Sequence, residues 1–567
     1  MRALLAALLL AAACATSNAP LELKSIADAV WTRQLDHDPA ARARLGMPVQ
    51  QMPDPSYARA EADAAFAKTT LDRLKRIDSK RLSENDRVTL AILTWRAEMT
   101  IEGLQHFWLR SPVTPYNSAA RTTSLVFKQM KLDTDEDGRR YVKLLDGYAR
   151  YVDALVAVVR EQQRRGILLP KAEVPLVRGM FAAMRREPEA SPFYRQSKNP
   201  AEVSDAIANR INPALQRLEA VFGPDYEASA PAAVGLSQYP GGAAAYRYLM
   251  RLHTSVDMTP EDVHRLGLSE VERLEGELDA IRKAVGFEGS REDFHRFLKT
   301  DARFFESSPE AIRARLARHV AKIEPHIDAY FARKPAASYG VERLDPSLEG
   351  AMTFGYYKRP EPDDPRGLYY FNGSKTGERN LLFGLALMAH ELVPGHHFQI
   401  ARQGETQSLH PLRRENFDTA FVEGWGEYSA ALGLDMGIYD DPYDRAGRLM
   451  MDMMLSSRLV VDTGMNALGW PREQAMQFLR DHSMMSETEI ATETLRYLVD
   501  IPGQALAYKI GSLRMIALRK HAQERLGSRF DIRQFHEWVI GSGSMPLQVL
   551  ERSVEEKLKY SSGARTE

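Results

Sequence analysis

Three histidines and a glutamate follow a nearly apolar run in the middle of the chain, in the order His390-Glu391-Leu392-Val393-Pro394-Gly395-His396-His397. The run itself, residues 381–388, is apolar on every side, which is typical of a helix buried all round. Burying this many polar groups is costly unless they are paired or bind a metal. The stretch therefore predicts a metal site.

Zinc is the metal that this combination favours. In the usual zinc-hydrolase pattern two histidines one helical turn apart bind zinc, and the glutamate after the first activates water. Here Pro394 stands four residues after His390, and the next histidines are six and seven residues on. A straight helix would carry them about 9–10 Å along its axis, too far for Zn–N bonds of about 2.0–2.1 Å. Because Pro394 breaks the helix and Gly395 tolerates unusual dihedrals, we expect a loop that returns His396 to the metal, with His397 as the alternative.

A third protein ligand is expected about thirty residues further on. Glu423 lies within Phe421-Val422-Glu423-Gly424-Trp425-Gly426-Glu427-Tyr428 and is the candidate. Glu427 follows one helical turn later on the same face. It would either orient a ligating histidine or form an ion pair at the surface. The predicted site holds one Zn²⁺ per chain between His390, His396 and Glu423.

These motifs resemble the DUF885 family of bacterial proteins, which is grouped with zincin-type metallopeptidases. The resemblance starts from His-Glu-x-x-Pro-Gly-His-x-x-Gln at His390 and from the Val-Glu-Gly-Trp motif around Glu423. It extends to Tyr239-Pro240-Gly241-Gly242, residues 254–266, Tyr356-Tyr357, Tyr370-Phe371-Asn372, residues 461–470 and residues 496–511. It implies a mostly α-helical zincin-like fold with a deep cleft. Asn466 departs from the pattern, since we expect a histidine there in the family.

The segment 496–511 contains further groups that a peptidase needs. A tyrosine hydroxyl can donate a hydrogen bond to the oxyanion that forms during amide hydrolysis, and Tyr508 and Tyr497 are the candidates. Arg496 could bind the C-terminal carboxylate of a peptide. Gln504 and Asn372, in the matched segments, are also candidate substrate-binding residues. The alternative is that both tyrosines pack helices and Arg496 is structural.

The first hypothesis is therefore a zinc metallopeptidase in which Glu391 is the general base. By analogy with deep-cleft helical zincins, short peptides are the expected substrates, and carboxypeptidase or dipeptidase action follows from analogy alone. A second hypothesis is a zinc-stabilised binding protein without turnover, in which the Pro-Gly insertion moves Glu391 away from the water. A third is a metallohydrolase of a non-peptide amide.

The N-terminus, residues 1–14, is typical of an export signal, with one arginine, an apolar core of eleven residues and small residues before Cys14. The core is too short to span a bilayer. Cys14 is the only cysteine of the chain, which favours a lipoprotein that is anchored through Cys14 in the periplasm or cell envelope. Cleavage as a soluble secreted protein is the alternative.

Composition excludes several other classes of protein. The 75 basic and 76 acidic residues give a net charge of −1, so electrostatics gives no reason to expect a nucleic-acid partner or an anionic membrane surface. After the N-terminal segment the sequence contains no apolar run of about 18 residues, so it predicts no membrane-spanning helix there. Oligomeric state is not determined by these features.

Helical periodicity extends over most of the chain. Apolar residues at three- and four-residue spacing predict helices over residues 57–78, 84–104 and 138–164. Thr259-Pro260 and Ser308-Pro309 predict helix starts. Residues 367–372 are the best strand candidate and would form an edge strand able to pair with a peptide. We predict one catalytic unit, residues 20–567, with a helical lobe over about 20–230 and a metal-site lobe over about 231–567.

Overall fold

A computed structural model describes residues 19–116, 118–195, 199–349 and 355–561. The predicted export signal, residues 1–14, lies outside them. The described chain is predominantly α-helical with one small sheet, so the mostly-α prediction is confirmed. None of the described helices is both long enough and apolar enough to cross a membrane.

The first part of the described chain contains the following helices: Ala19–His37, Pro39–Arg44, Tyr57–Leu74, Glu84–Gly103, Ala119–Ser124, Val126–Gln129, Asp135–Arg164, Val174–Met184, Pro200–Ala206, Asn212–Val221 and Pro224–Ser229. The second part contains these: Gly242–Thr254, Pro260–Ala284, Arg291–Thr300, Pro309–Ile323, Ile327–Tyr330, Pro346–Glu349, Gly384–Glu391, His396–Glu405, Pro411–Arg414, Thr419–Leu432, Pro442–Asn466, Arg472–His482, Glu487–Leu495, Leu506–Leu526, Ile532–Ile540 and Leu547–Ser561.

The local sequence signals explain where several of these helices begin. Thr259 and Ser308 both cap a helix whose first residue is proline, and each side-chain oxygen accepts a hydrogen bond from a backbone amide three residues on. Periodicity placed the helices at Tyr57, Glu84 and Asp135 to within a few residues. These starts are confirmed.

The sheet has three strands: β1 (Tyr339–Arg343), β2 (Gly355–Lys358) and β3 (Gly367–Phe371). The strand order is β1-β3-β2, with β3 parallel to β1 and antiparallel to β2. The predicted strand exists, but it is central and not at an edge. Because its backbone groups are paired on both sides, β3 cannot accept a peptide as an added strand.

The two large apolar cores are each built mainly from one continuous part of the chain. One is built mainly from residues 113–230. The other is built mainly from residues 236–558 and also takes in Val88, Ile92 and Met99 of the helix Glu84–Gly103. That helix therefore packs with the second core, although the two predicted lobes place it in the first.

Five helices of the second core position the candidate site. They are the first histidine helix (Gly384–Glu391), the second histidine helix (His396–Glu405), the glutamate helix (Thr419–Leu432), the long helix (Pro442–Asn466) and the tyrosine helix (Leu506–Leu526). The glutamate helix packs along the tyrosine helix and against both histidine helices. The candidate site therefore has helices on several sides.

Candidate metal centre

The Pro-Gly segment breaks one helix into two. The first histidine helix ends at Glu391 and the second begins at His396, as the sequence predicts. Gly395 is required for a close approach, since a Cβ there would lie 1.8 Å from the carbonyl oxygen of His390. The side chain of Asn380, just before the apolar run, donates to the carbonyl oxygen of Leu298 and accepts from the Leu382 amide, and the first histidine helix begins later, at Gly384.

The glutamate helix fixes this turn from the opposite side. The indole N–H of Trp425 donates to the carbonyl oxygens of Pro394 (3.0 Å) and Gly395 (3.2 Å). The hydroxyl of Ser429 also donates to the Pro394 carbonyl. These bonds satisfy buried backbone groups that the helix break leaves without partners. They also fix the turn to the helix that carries Glu423.

His390, His396 and Glu423 come together at one point. Their candidate ligand atoms all lie within 4.8 Å of one another. The Glu423 Oε2 atom is 3.3 Å from His396 Nε2 and 3.8 Å from His390 Nε2. Both histidines are buried, and the Glu423 side chain is 13 % exposed. Glu423 is therefore the most accessible of the three side chains.

The donor set fits zinc. With bonds of about 2.0–2.1 Å, the ligand atoms of a tetrahedral zinc site lie about 3.3 Å apart, which equals the separation between Glu423 and His396 and is shorter than that between Glu423 and His390 (3.8 Å). The charges also fit a cation. Burial alone would lower the pKa of His390, but the carboxylates of Glu423 and Glu427 outweigh it and raise the pKa to about 10. Buried carboxylates that stabilise a positive charge on His390 would also stabilise a divalent cation bound between the same residues.

His397 points away from the cluster. Its Nε2 lies 3.0 Å from the carbonyl oxygen of Ala337, and its Nδ1 lies 3.1 Å from the hydroxyl of Tyr357. Burial lowers the pKa of His397 to about 4, so the ring is neutral and bonded on both sides. Of the two histidines that the sequence leaves open, His396 is the one that joins His390.

Glu427 is not a surface residue, and the surface ion-pair interpretation is wrong. Its side chain is fully buried, and one carboxylate oxygen lies 3.6 Å from Nδ1 of His390. The other lies 2.7 Å from the guanidinium of Arg448 on the long helix. Glu427 is therefore beside the His390 ring, on the side where a carboxylate can orient a ligating histidine.

Glu391 lies next to His390 at the end of the first histidine helix. Within the described residues its carboxylate makes no hydrogen bond or ion pair, and the side chain is partly exposed. Burial raises the pKa of Glu391, against the opposing effect of His396 and His390. A carboxyl with a raised pKa and no structural partner has the properties of a general base.

Tyr508 is the tyrosine next to the cluster. Its ring stacks against that of His390, with centroids 6.2 Å apart and an interplanar angle of 15°. Burial and then the negative charge of Glu423 raise the pKa of Tyr508, which keeps its hydroxyl protonated and able to donate. Arg496 and Gln504 are nearby and partly exposed, and Arg496 donates to the Gln504 side chain (2.8 Å).

Two other candidates have structural partners instead. Tyr497 is fully buried; its hydroxyl donates to Glu493 and accepts from Arg458. Asn372 is also buried, donates to the Glu349 carbonyl and accepts from Ser374. The structure therefore does not place Tyr497 as an oxyanion donor or Asn372 as a substrate contact. Both were chosen by residue type and by their place in segments that match the family, neither of which reveals whether a polar group is already bonded.

Asn466 has a structural role as well. It accepts from the Leu236 amide and donates to the Tyr497 carbonyl oxygen, fully buried at the end of the long helix. The same helix contains Arg448, which sequence reasoning missed. Arg448 and Asp452 are oppositely charged residues four apart in a stretch, residues 446–455, that is otherwise apolar, a signal that could have revealed a buried network.

Similarity to known proteins extends over nearly the whole chain. A model of the family described as "Bacterial protein of unknown function (DUF885)" matches residues 39–554. The crystal structure of a "putative lipoprotein" from Colwellia psychrerythraea is similar with a TM-score of 0.86 and 22 % identity, covering 96 % of this chain and 98 % of that one. A "putative lipoprotein of unknown function" from Shewanella oneidensis gives a TM-score of 0.71 and 17 % identity, covering 94 % and 98 %. Among curated proteins, none matches.

Proposed function

This chain belongs to the DUF885 family, and we propose that it is a zinc-dependent hydrolase that cleaves the amide bonds of short peptides. The proposal depends above all on the convergence of His390, His396 and Glu423. Two histidines and a glutamate are the protein ligands of one class of catalytic zinc site, which keeps a fourth position for water or substrate. The partly exposed Glu423 supports such an open position.

The roles of the protein residues follow from their places around the cluster. Zinc supplies the Lewis acidity that makes water nucleophilic near neutral pH. Glu391 removes a proton from the attacking water and delivers it to the amine as the amide bond breaks. Tyr508 donates a hydrogen bond to the carbonyl oxygen as negative charge develops there. Arg496 and Gln504 lie beside Tyr508 and orient the substrate.

The ligand assignment is tested by metal content. Elemental analysis of purified protein should give about one zinc per chain, and His396→Ala and Glu423→Ala should each lose it. His397→Ala is the matched control, because its ring is bonded to Tyr357 and the Ala337 carbonyl. Wild-type protein that takes up no zinc when zinc is offered would contradict the proposal.

The role of Glu391 is tested by turnover on a panel of short peptides. Glu391→Gln should keep its zinc and lose hydrolysis by about 100-fold or more, while the exposed control Glu378→Gln should match wild type. Zinc binding without hydrolysis of any amide would favour the binding-protein hypothesis. Hydrolysis restricted to non-peptide amides would favour the hypothesis of a metallohydrolase that acts on such amides.

We also propose that the protein is an exported lipoprotein anchored at Cys14. The apolar segment before Cys14 supports this, as do the lipoprotein descriptions of two proteins with the same fold. Cys14→Ser should remove lipid labelling by radioactive palmitate and release the protein from the membrane fraction. Unchanged labelling of Cys14→Ser would rule out this anchor.

A further inference from the structure

A cavity of about 690 Å³ lies between the N-terminal helices and the start of the glutamate helix. Thr419 lines it and stands four residues before Glu423, so both side chains lie on one face of the glutamate helix. The cavity therefore begins about one helical turn from the candidate metal centre. Its volume is within the range of about 300–1,000 Å³ that is usual for small-molecule sites.

A second connection leads from the cavity wall to the metal centre. Glu415 lines the cavity and forms an ion pair with Arg359, the residue after strand β2. Two residues before Arg359, Tyr357 has its ring centroid 6.4 Å from that of His396. The cavity wall is therefore connected to the candidate centre through two elements, the glutamate helix and strand β2.

The charges lining this cavity are not balanced. Its carboxylates already have partners: Asp63 pairs with Arg33 and Arg59, Glu415 with Arg44 and Arg359, and Asp38 and Asp418 accept from backbone amides at helix starts. The arginines Arg96 and Arg110 also line it. Among the described residues, Arg96 donates only to the neutral amide of Gln34 (2.8 Å). Arg110 is exposed, and no described residue forms a hydrogen bond or an ion pair with its side chain.

The charge of Arg110 acts inside the cavity. Burial and then the positive charge of Arg110 lower the pKa of His253 to about 4. His253 and Tyr248 both line the cavity with Arg110. Since His253 is neutral above about pH 5, the excess positive charge there belongs to the two arginines.

We propose that Arg110, aided by Arg96, binds a carboxylate of the substrate in this cavity. An arginine without a partner binds carboxylates well, because its planar donors match the two oxygens. The sequence favoured Arg496 for this role, but Arg496 already faces the Glu493 carboxylate (3.4 Å). The carboxylate is that of a peptide C-terminus or of an acidic side chain. The inference rests on the proposed function and specifies its substrate class.

The test measures binding and not turnover. Zinc-loaded Glu391→Gln protein is titrated calorimetrically with Ac-Ala-Ala-Ala-OH, Ac-Ala-Ala-Ala-NH₂ and Ac-Ala-Glu-Ala-NH₂. We expect the free acid to bind about tenfold more tightly than the amide, or better. Adding Arg110→Met should abolish that preference, while adding Arg139→Met, at an exposed position on the helix Asp135–Arg164, should leave it intact.

The three peptides separate the two sources of the carboxylate. Tight binding of the free acid alone assigns the site to a C-terminus, and tight binding of the glutamate peptide as well assigns it to any carboxylate. Equal binding of acid and amide, no binding of any peptide, or a preference that survives Arg110→Met would overturn the inference. Peptides that bind through Arg110 but are never cleaved by the wild-type enzyme would contradict the proposed hydrolase and leave the subsite standing.

Discussion

At the scale of single residues, the candidate centre depends on small side chains as much as on the ligands. The Val-Glu-Gly-Trp-Gly motif carries Glu423 on one face and allows the first histidine helix to approach on another. A Cβ at Gly426 would lie 2.8 Å from Cε1 and 2.9 Å from Nε2 of His390. Trp425 in the same motif fixes the Pro-Gly turn. The motif therefore positions both histidines and supplies the carboxylate.

Gly426→Ala should weaken zinc binding without removing any ligand. Because the new methyl group must displace the His390 ring, we expect the zinc Kd to rise by about 10- to 100-fold, comparable with the loss of an outer hydrogen bond to a ligand. Competition with a chromogenic chelator measures the Kd. Gly404→Ala on the second histidine helix is the control, since its Cβ meets nothing within 4 Å. A wild-type Kd for Gly426→Ala would contradict this account.

At the scale of elements, the site is formed where the glutamate and tyrosine helices pack without side chains between them. Gly424 and Gly511 face each other across this contact, and a Cβ at Gly511 would lie 2.1 Å from the carbonyl oxygen of Ala420. The atoms in the way are backbone and cannot rotate aside. This contact fixes the separation of Glu423 and Tyr508.

Gly511→Ala should therefore lower both stability and metal affinity. We expect the free energy of unfolding to fall by about 1–3 kcal/mol, the usual range for overpacking, with a parallel loss of zinc affinity. Urea denaturation measures the first quantity. The matched change Gly276→Ala, on the helix Pro260–Ala284, has no neighbour within 4 Å and should be neutral or stabilising by up to about 1 kcal/mol. The same urea midpoint for Gly511→Ala and wild type would refute the packing argument.

At the scale of the whole molecule, buried polar residues join distant parts of the chain. Asp462 of the long helix accepts hydrogen bonds from the Tyr246 hydroxyl (2.7 Å) and the Gly503 amide (3.0 Å). It therefore fixes the segment that leads into the tyrosine helix. Burial outweighs these bonds and raises the pKa of Asp462 from 3.8 to about 7.

This carboxyl makes stability depend on pH with a definite sign. The folded protein keeps the proton up to about pH 7, whereas the unfolded chain releases it near pH 3.8. The stabilisation is therefore complete below about pH 4 and is lost as the pH rises through 7. Between pH 5 and 8, the free energy of unfolding of wild type should fall by roughly 2–3 kcal/mol more than that of Asp462→Asn. Urea denaturation between pH 5 and 8 measures this difference, and Asp133→Asn, at an exposed position, is the control. If the free energy of unfolding changes with pH in the same way in wild type and Asp462→Asn, the raised pKa of Asp462 is disproved.

The sequence by itself determined the local features. Periodicity and capping residues set the helices and several of their starts, because these depend on neighbours three or four positions away. The position of Pro394 and Gly395 also required a break between His390 and His396, since an intact helix cannot bring them together. Both conclusions use only short-range geometry, which the order of residues contains.

Only the tertiary structure decided which polar groups are free to act. His397, Tyr497 and Asn372 have suitable side chains, but each is bonded to a residue far away in the chain. Conversely, Arg110 and Thr419 line the same cavity and Glu427 faces His390, which no spacing rule predicts. The physical reason is that hydrogen-bond satisfaction and burial depend on contacts between segments far apart in the chain.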